Sequence, residues 1–385
     1  MSILTADGKL LTVDGKLATA NAAPATPYME AEYIALEDSG GDENHYIDRA
    51  KLYNHTAIYM NEFAGQYKLQ NLDFSDASNN ITAIEVAAFQ GAWMNGLVLP
   101  NTISVLGKAC FDGAYISTLT VPPLVTVLPS NAFSSIHPIY NDETGEELPI
   151  NIILPQNLTK IGIAGFNSAE IEQITIPDTV TEIGNSAFYS CERLASITLP
   201  LGLQKISNYM LTYCISLTSI TIPAAVTEIG VEAFAYSGLT SIIIPSTITM
   251  LGSSAFDGCG SLTSMDIQAN VTVIPDRFAL ECPLMSLTLP NTLQTIGELA
   301  FALNSGFQVT ELTIPASVTS IGDSAFGGNN ANQMTLTVLP TTPPTLGRNV
   351  FNLATGSVIK VPAASVAAYK AADGWKDYAS YIVAM

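Results

Sequence analysis

The sequence predicts a repeat solenoid, mainly β, of about 12–13 coils of 22–23 residues, with one short strand per coil and a cap at each end. Three observations predict it. The pattern Ile-Pro-x-x-Val-x-x-Ile-Gly-x-x-Ala-Phe recurs along most of the chain, at Ile176, Pro177, Val180, Ile183, Gly184, Ala187 and Phe188 and again at Ile222, Pro223, Val226, Ile229, Gly230, Ala233 and Phe234. Its register is strict: an Ile or Leu stands five residues before the Phe position in all twelve units, from Ile84 before Phe89 to Leu346 before Phe351. Of 385 residues, 48% are hydrophobic and only 12% charged, which builds a core and argues against disorder.

Each unit reads as a strand, two turns and an irregular return. The strand precedes the Pro, as in Ser219-Ile220-Thr221-Ile222, and its alternation points Ile220 and Ile222 inward and Ser219 and Thr221 outward. Pro223 ends the strand because it has no N–H for the ladder. Val226 and Ile229 turn back into the core across a second short extended piece. Ala233 and Phe234 then plug the far side from a turn of 3₁₀ or α-helix. Leu211 and Ala279 replace the Phe in two units.

Gly follows the invariant Ile or Leu in eight of twelve units, and Pro129 and Pro275 replace it in two others. Pro holds φ near −65°, so this site needs no positive φ. The Gly is expected to let neighbouring coils approach, and a positive φ at Gly230 or Gly252 would contradict that. The largest insertion, about eleven residues, lies between Phe133 and Pro155 and carries Tyr140, Asp142, Glu143, Glu146 and Glu147. Shorter ones fall at 304–309 and 327–334. Such insertions become loops on one face and often bind.

Four segments follow. Residues 1–27 form a tail with a duplicated Asp-Gly-Lys-Leu, each Asp-Gly a hairpin-turn signal. Residues 28–68 are an aromatic and acidic N-terminal cap or degenerate repeat with some helix. Residues 69–361 are the array. Residues 362–385 are a helical C-terminal cap, with Val366, Tyr369, Trp375 and Tyr378 as its contacts.

A net charge of −20, from 34 acidic and 14 basic side chains, disfavours nucleic acid and anionic membranes. No stretch is long and apolar enough to span a bilayer. The first twenty residues lack the cationic start and apolar run of a signal peptide. Cys191, Cys214, Cys259 and Cys282 all follow the Phe position by three residues and stack in two adjacent pairs. Coil spacing would allow a disulfide, but parallel Cβ vectors make its geometry poor, so buried thiols are expected, as at Cys110. No metal-binding or catalytic motif occurs, and neither cofactor nor catalytic residue is expected. Asp142, Glu143, Glu146 and Glu147 could meet calcium, against a plainer reading as a solvated acidic loop.

The unit ending Ile176-Pro177 … Phe188-x-x-Cys191-x-x-Leu194 resembles the BspA-like leucine-rich repeat over roughly residues 69–361. The resemblance implies a right-handed curved array and a secreted or cell-surface protein that binds host proteins, other cells or glycans. It brings no catalytic residues, and the Asn ladder of ordinary leucine-rich repeats has no counterpart here. The expected function is a monomeric, non-enzymatic adhesion scaffold for a protein or glycan. A second reading is a structural component of a larger assembly, such as a phage particle. The candidate contact residues are the outward strand positions Gln173, Thr175, Ser196, Thr198, Ser219, Thr221, Ser264, Asp266, Thr288 and Thr313, with Tyr140, Asp142 and Glu143 of the insertion.

Overall fold

The computed structural model describes residues 56–66, 80–94, 97–141, 144–302, 308–328 and 333–385, and the backbone of the strands Ser2–Leu4, Leu10–Thr12, Ala31–Ala35, Ile47–Leu52 and Asn71–Asp73. The chain folds as two compact units, Met1–Ile171 and Glu172–Met385. Each is a mainly β solenoid, with five described coils in the first, from Phe63 to Phe166, and eight in the second, from Phe188 to Phe351.

Two parallel ladders run through each unit, as period-2 alternation and strand-ending Pro require. One joins the strands before Pro. In the second unit it pairs Gln173–Thr175 with Ser196–Thr198, then Ser241–Ile244 with Ser264–Ile267 and Ser286–Thr288, then Glu311–Ile314 with Thr335–Val338, Val358–Val361 and Ile382–Ala384. The other ladder joins two-residue strands at the invariant Ile or Leu, as in Lys205–Ile206, Glu228–Ile229 and Met250–Leu251. One expectation fails here. Residues 219–222 form no strand, and Ile220 is only half-buried, although Ser219 and Thr221 do face solvent. Alternation sets which way side chains point, but ladder bonds depend on both neighbouring backbones.

The far-side turn is not helical. In the coil of Phe89, the N–H groups of Ala87, Phe89 and Gly91 donate to Lys108, Cys110 and Asp112 of the next coil, at 3.0, 2.8 and 2.8 Å. The intervening N–H groups of Ala88, Gln90 and Ala92 close turns onto Glu85, Ala87 and Phe89. The residue two before the Phe position has φ between 51° and 59° in all twelve units. Residues two after it also take positive φ, from Gly91 at 64° to Tyr236 at 56°. A helix needs one sign of φ throughout. Alternation instead aims every second N–H at the neighbouring coil, which satisfies backbone groups that would otherwise be buried unpaired.

The Gly expectation holds. Gly230 and Gly252 are not at positive φ, and a Cβ on Gly252 would lie 2.3 Å from the carbonyl carbon of Gly230. Gly252 N donates to Ile229 O at 2.8 Å, which clamps the coils at that approach. Where Ser207 takes this place, its hydroxyl reaches Ile183 O at 2.5 Å.

Within each unit the Phe rings fill the core as a column. In the first, Phe63, Phe89, Phe111, Phe133 and Phe166 stack at 5.4, 5.3, 5.1 and 5.3 Å between centroids. Each such pair adds about 0.5–1.5 kcal/mol beyond burial. In the second, Phe278, one residue before Ala279, supplies the missing ring and meets Phe256 and Phe301 edge-on at 5.4 and 6.3 Å. Met210 and Leu211 fill their coil without a ring, both fully buried.

All five cysteines are buried and free. Cys214, Cys259 and Cys282 donate to the carbonyls of Phe188, Phe234 and Phe256 in the preceding coil, at 3.2, 3.1 and 3.0 Å. Burial pushes the Cys214 thiol up to about 12, so it stays protonated and donates.

The ends depart from the repeat. Ser2–Leu4 pairs antiparallel with Leu10–Thr12, and the first Asp-Gly of the duplication, Asp7-Gly8, falls between them in sequence. Residues 28–68 were expected to hold some helix. Their described parts are the antiparallel pair Ala31–Ala35 and Ile47–Leu52, the short strand Ala57–Ile58 and the turn around Phe63. The C-terminal cap is partly helical, Ala363–Ser365, Val366–Ala371 and Trp375–Tyr378, and closes with a strand that composition did not announce, Ile382–Ala384. Tyr369 and Trp375 are fully buried and donate to Pro340 O and Pro344 O, both at 2.7 Å.

Candidate functional site

The outward strand positions form two rows in register. Gln173 stands opposite Ser196 and Thr175 opposite Thr198, Ser264 opposite Ser286 and Asp266 opposite Thr288, and Thr313 opposite Thr337. Gln173, Thr175, Ser196, Thr198, Thr288 and Thr313 are exposed, while Ser264 and Asp266 are half-buried. Ser219 and Thr221 share the face without being in a strand.

Hydroxyls elsewhere tie coils together. Thr102 donates to Ile81 O at 2.6 Å and Thr292 to Val271 O at 2.8 Å. Thr227 and Thr249 donate to Gln204 O and Thr227 O at 3.3 Å. The row hydroxyls of Thr175, Ser196, Thr198, Thr288 and Thr313 make no such bond to the described protein. Asp266 is held instead by Gln268, whose Nε2 lies 2.7 Å from its carboxylate. This face therefore offers donors and acceptors that the fold does not use.

The insertion is a β-hairpin. Ile139–Tyr140 pairs antiparallel with Glu147–Leu148, and the Tyr140 hydroxyl donates to Glu147 at 3.0 Å. Tyr140 is 48% exposed. Asp142 and Glu143 lie outside the described residues, as do most residues of the two shorter insertions. Among the described residues, no three His, Cys, Asp or Glu side chains converge on a point that could hold a metal. No described helix is long and apolar enough to cross a membrane.

A partial Asn ladder does exist, contrary to expectation. The side-chain oxygens of Asn208, Asp276 and Asp323 accept from the backbone N–H of Val231, Glu298 and Arg348 in the next coil, at 3.0, 2.8 and 2.9 Å. A Cβ on Gly230, Gly297 or Gly347 would sit 2.4–2.5 Å from those oxygens. The signal was an Asn or Asp one residue after the Gly site, with Gly in the following unit.

Two aromatic surfaces lie outside the predicted contact residues. In the first unit Trp93 stacks on Tyr115 at 5.0 Å, Tyr115 meets His137 at 5.0 Å, and His137 Nδ1 lies 2.7 Å from Glu170. In the second, Tyr189 meets Tyr213 edge-on at 5.6 Å, and Tyr213 stacks on Tyr236 at 4.8 Å. Beside them Asp257 is buried, with Arg277 at 3.3 Å. Burial pushes the Asp257 carboxyl up and Arg277 pulls it back. The charge of Asp257, and then burial, push the Tyr236 phenol up. Trp93, Tyr115 and His137 each lie four residues after their Phe position, and Tyr213 and Tyr236 two after theirs, a spacing visible once the coil is known; Tyr189 lies one after.

The BspA type leucine rich repeat region matches in six copies, over residues 56–150, 146–262 and 227–355. The fold is that of a leucine-rich repeat protein from Bacteroides ovatus, at 21% identity and a TM-score of 0.50, over 94% of this chain and 99% of that one. A leucine rich cell surface protein of Faecalibacterium prausnitzii is 17% identical with a TM-score of 0.36, over 81% and 97% of the two chains. The pneumococcal vaccine antigen PcpA is 15% identical with a TM-score of 0.35, over 97% and 98%. No curated protein matches the chain. With the matched residues covering most of its length, the chain belongs to the BspA-type leucine-rich repeat family.

Proposed function

We propose that this chain is a non-enzymatic binding and adhesion scaffold at the bacterial cell surface, recognising host or microbial proteins or glycans. The observation that carries the reading is the registered strand face, whose exposed hydroxyls are left unused while equivalent groups elsewhere bind coil to coil. Such a surface suits a ligand that brings its own hydrogen-bonding groups. A core filled by Phe, Ile and Leu leaves the interior to packing. The insertion hairpin with Tyr140, Asp142 and Glu143 is the second contact element, since long insertions in a repeat array gather on its functional side.

The test is a binding screen of the full chain against matrix proteins and an oligosaccharide array. It is repeated with residues 134–150 deleted and with Thr175→Glu and Thr198→Glu combined. Saturable binding that either change abolishes supports the reading. Binding to nothing in the screen, or turnover of an arrayed glycan, would overturn it. Protease shaving of intact cells tests the location: a protein resistant until lysis is not at the surface.

A further inference from the structure

One stretch of the second unit places large side chains at left-handed positions. Tyr209, Tyr213, Glu232, Tyr236, Arg277 and Glu281 have φ of 58°, 61°, 51°, 56°, 56° and 59°. In the first unit the equivalent pairs are Asn61 and Gly65, Ala87 and Gly91, Ala109 and Gly113, Asn131 and Ser135, and Ala164 and Ser168. The turn therefore forms without a large side chain at either place. A bulky residue at positive φ is strained, and such outliers gather at functional sites. Core filling does not account for them: Tyr209, Tyr213 and Tyr236 are 37%, 37% and 38% exposed.

We propose that this face of the coils from Tyr209 to Glu281 docks a protein partner through a basic, arginine-bearing segment. The proposal rests on the scaffold reading above and adds a second face and the partner's charge. The ring geometry separates protein from sugar. Stacking a sugar needs a bare ring face. Tyr213 covers one side of Tyr236, and Gly258 backs the other, where a Cβ would meet the ring at 2.3 Å. What remains open is the rims and phenol oxygens, which suit the mixed polar and apolar contacts of a protein interface, where Tyr and Arg are the usual anchors. Charge sets the partner's sign. Arg277 is engaged by Asp257, leaving Glu232 and Glu281 to colour the patch acidic on a chain of net charge −20. Arginine fits such a patch because its guanidinium bonds carboxylates in pairs and packs on aromatic rims.

The test measures binding of a synthetic Arg-Ser repeat peptide to the full chain at physiological salt, by titration calorimetry. Combined Tyr213→Ser and Tyr236→Ser keeps the net charge and should weaken binding about tenfold. Combined Glu232→Gly and Glu281→Gly should weaken binding and raise the melting temperature, because Gly relieves both strained sites. A purely structural role would lower it. Combined Thr198→Ala and Thr313→Ala on the strand face should leave binding of this peptide as in the parent, whatever they do to a strand-face ligand. Unchanged affinity in the Tyr variant, or displacement of the peptide by cello-oligosaccharides, overturns the proposal. Loss confined to the strand-face variant overturns it too but leaves the scaffold reading standing. Failure of the parent to bind the peptide, while the screen above yields a ligand, likewise removes only this face.

Discussion

In the first unit, Ala109 and Gly113 flank Phe111 at positive φ; in the second, Glu232 and Tyr236 flank Phe234 at nearly the same φ. The hydrogen bonds are equivalent: Phe111 N donates to Ala132 O at 3.0 Å, and Phe234 N to Ala255 O at 2.8 Å. One backbone device thus carries opposite chemistries on its outer side. Half of the ten left-handed positions in the first unit's Phe turns are Gly or Asn, the residues that accept αL at least cost. The second unit concentrates Tyr, Glu and Arg there. The turn is held by coil-to-coil bonding and the ring column, not by local preference, so its outer residues are free to serve something else.

If the column holds the turn, removing a ring must cost most. Phe111→Ala and Phe234→Ala, both fully buried with a stacked neighbour, should each lose about 3–5 kcal/mol. In an array each coil leans on its neighbours, so hydrogen exchange should show the loss centred on the mutated coil. A cost below about 1 kcal/mol at either site would mean that the column is not what holds the strained turns.

The inter-coil clamp comes next. Gly252→Ala puts a methyl 2.3 Å from the Gly230 backbone, where no side-chain movement can relieve it. Overpacking of this kind costs about 1–3 kcal/mol. Urea unfolding that shows no loss would mean that the coils can part at this seam without penalty.

These two devices were unequally legible in the sequence. The Ile-to-Phe spacing is a packing constraint repeated in every unit, so the ladder, column and Gly seam could be read directly. The left-handed turn could not. Its first left-handed position ranges over Ala, Ser, Asn, Tyr, Glu, Arg and Leu, and at its second Gly91 and Gly113 give way to Ser135 and Tyr213, while the Gly that recurs in most units marks close approach instead. Positive φ is imposed by the neighbouring coil's carbonyls, a tertiary cause with no local signature. The same holds for the hidden ring of Phe278, which slides one residue to rejoin the column, and for the strand missing at 219–222. At the strand face the alternation Ser196-Ile197-Thr198 told inside from outside. It could not tell that these hydroxyls go unused.

A direct comparison of the two units uses opposite substitutions at the same turn. Gly91→Ala in the first unit, at φ 64°, should cost about 1 kcal/mol, since Ala must adopt a conformation Gly takes freely. Glu232→Gly in the second should stabilise by about 0.5 kcal/mol, the relieved strain being partly offset by the added freedom of the unfolded chain. Thermal melts of the two variants should move in opposite directions. Movement of both downward would show that Glu232 is there for packing.

The smallest effect is expected at Thr221→Ala. The residue is exposed, lies outside any assigned strand and bonds no neighbouring coil, so its removal should change stability by no more than about 0.5 kcal/mol. Thr227, six residues later, looks equivalent in sequence but donates to Gln204 O at 3.3 Å. Thr227→Ala should therefore cost more, about 0.5–1.5 kcal/mol for one hydrogen bond. Equal effects at the two positions would erase the distinction between hydroxyls that hold the solenoid together and hydroxyls left for a ligand, and with it the main reason to look for that ligand on the strand face.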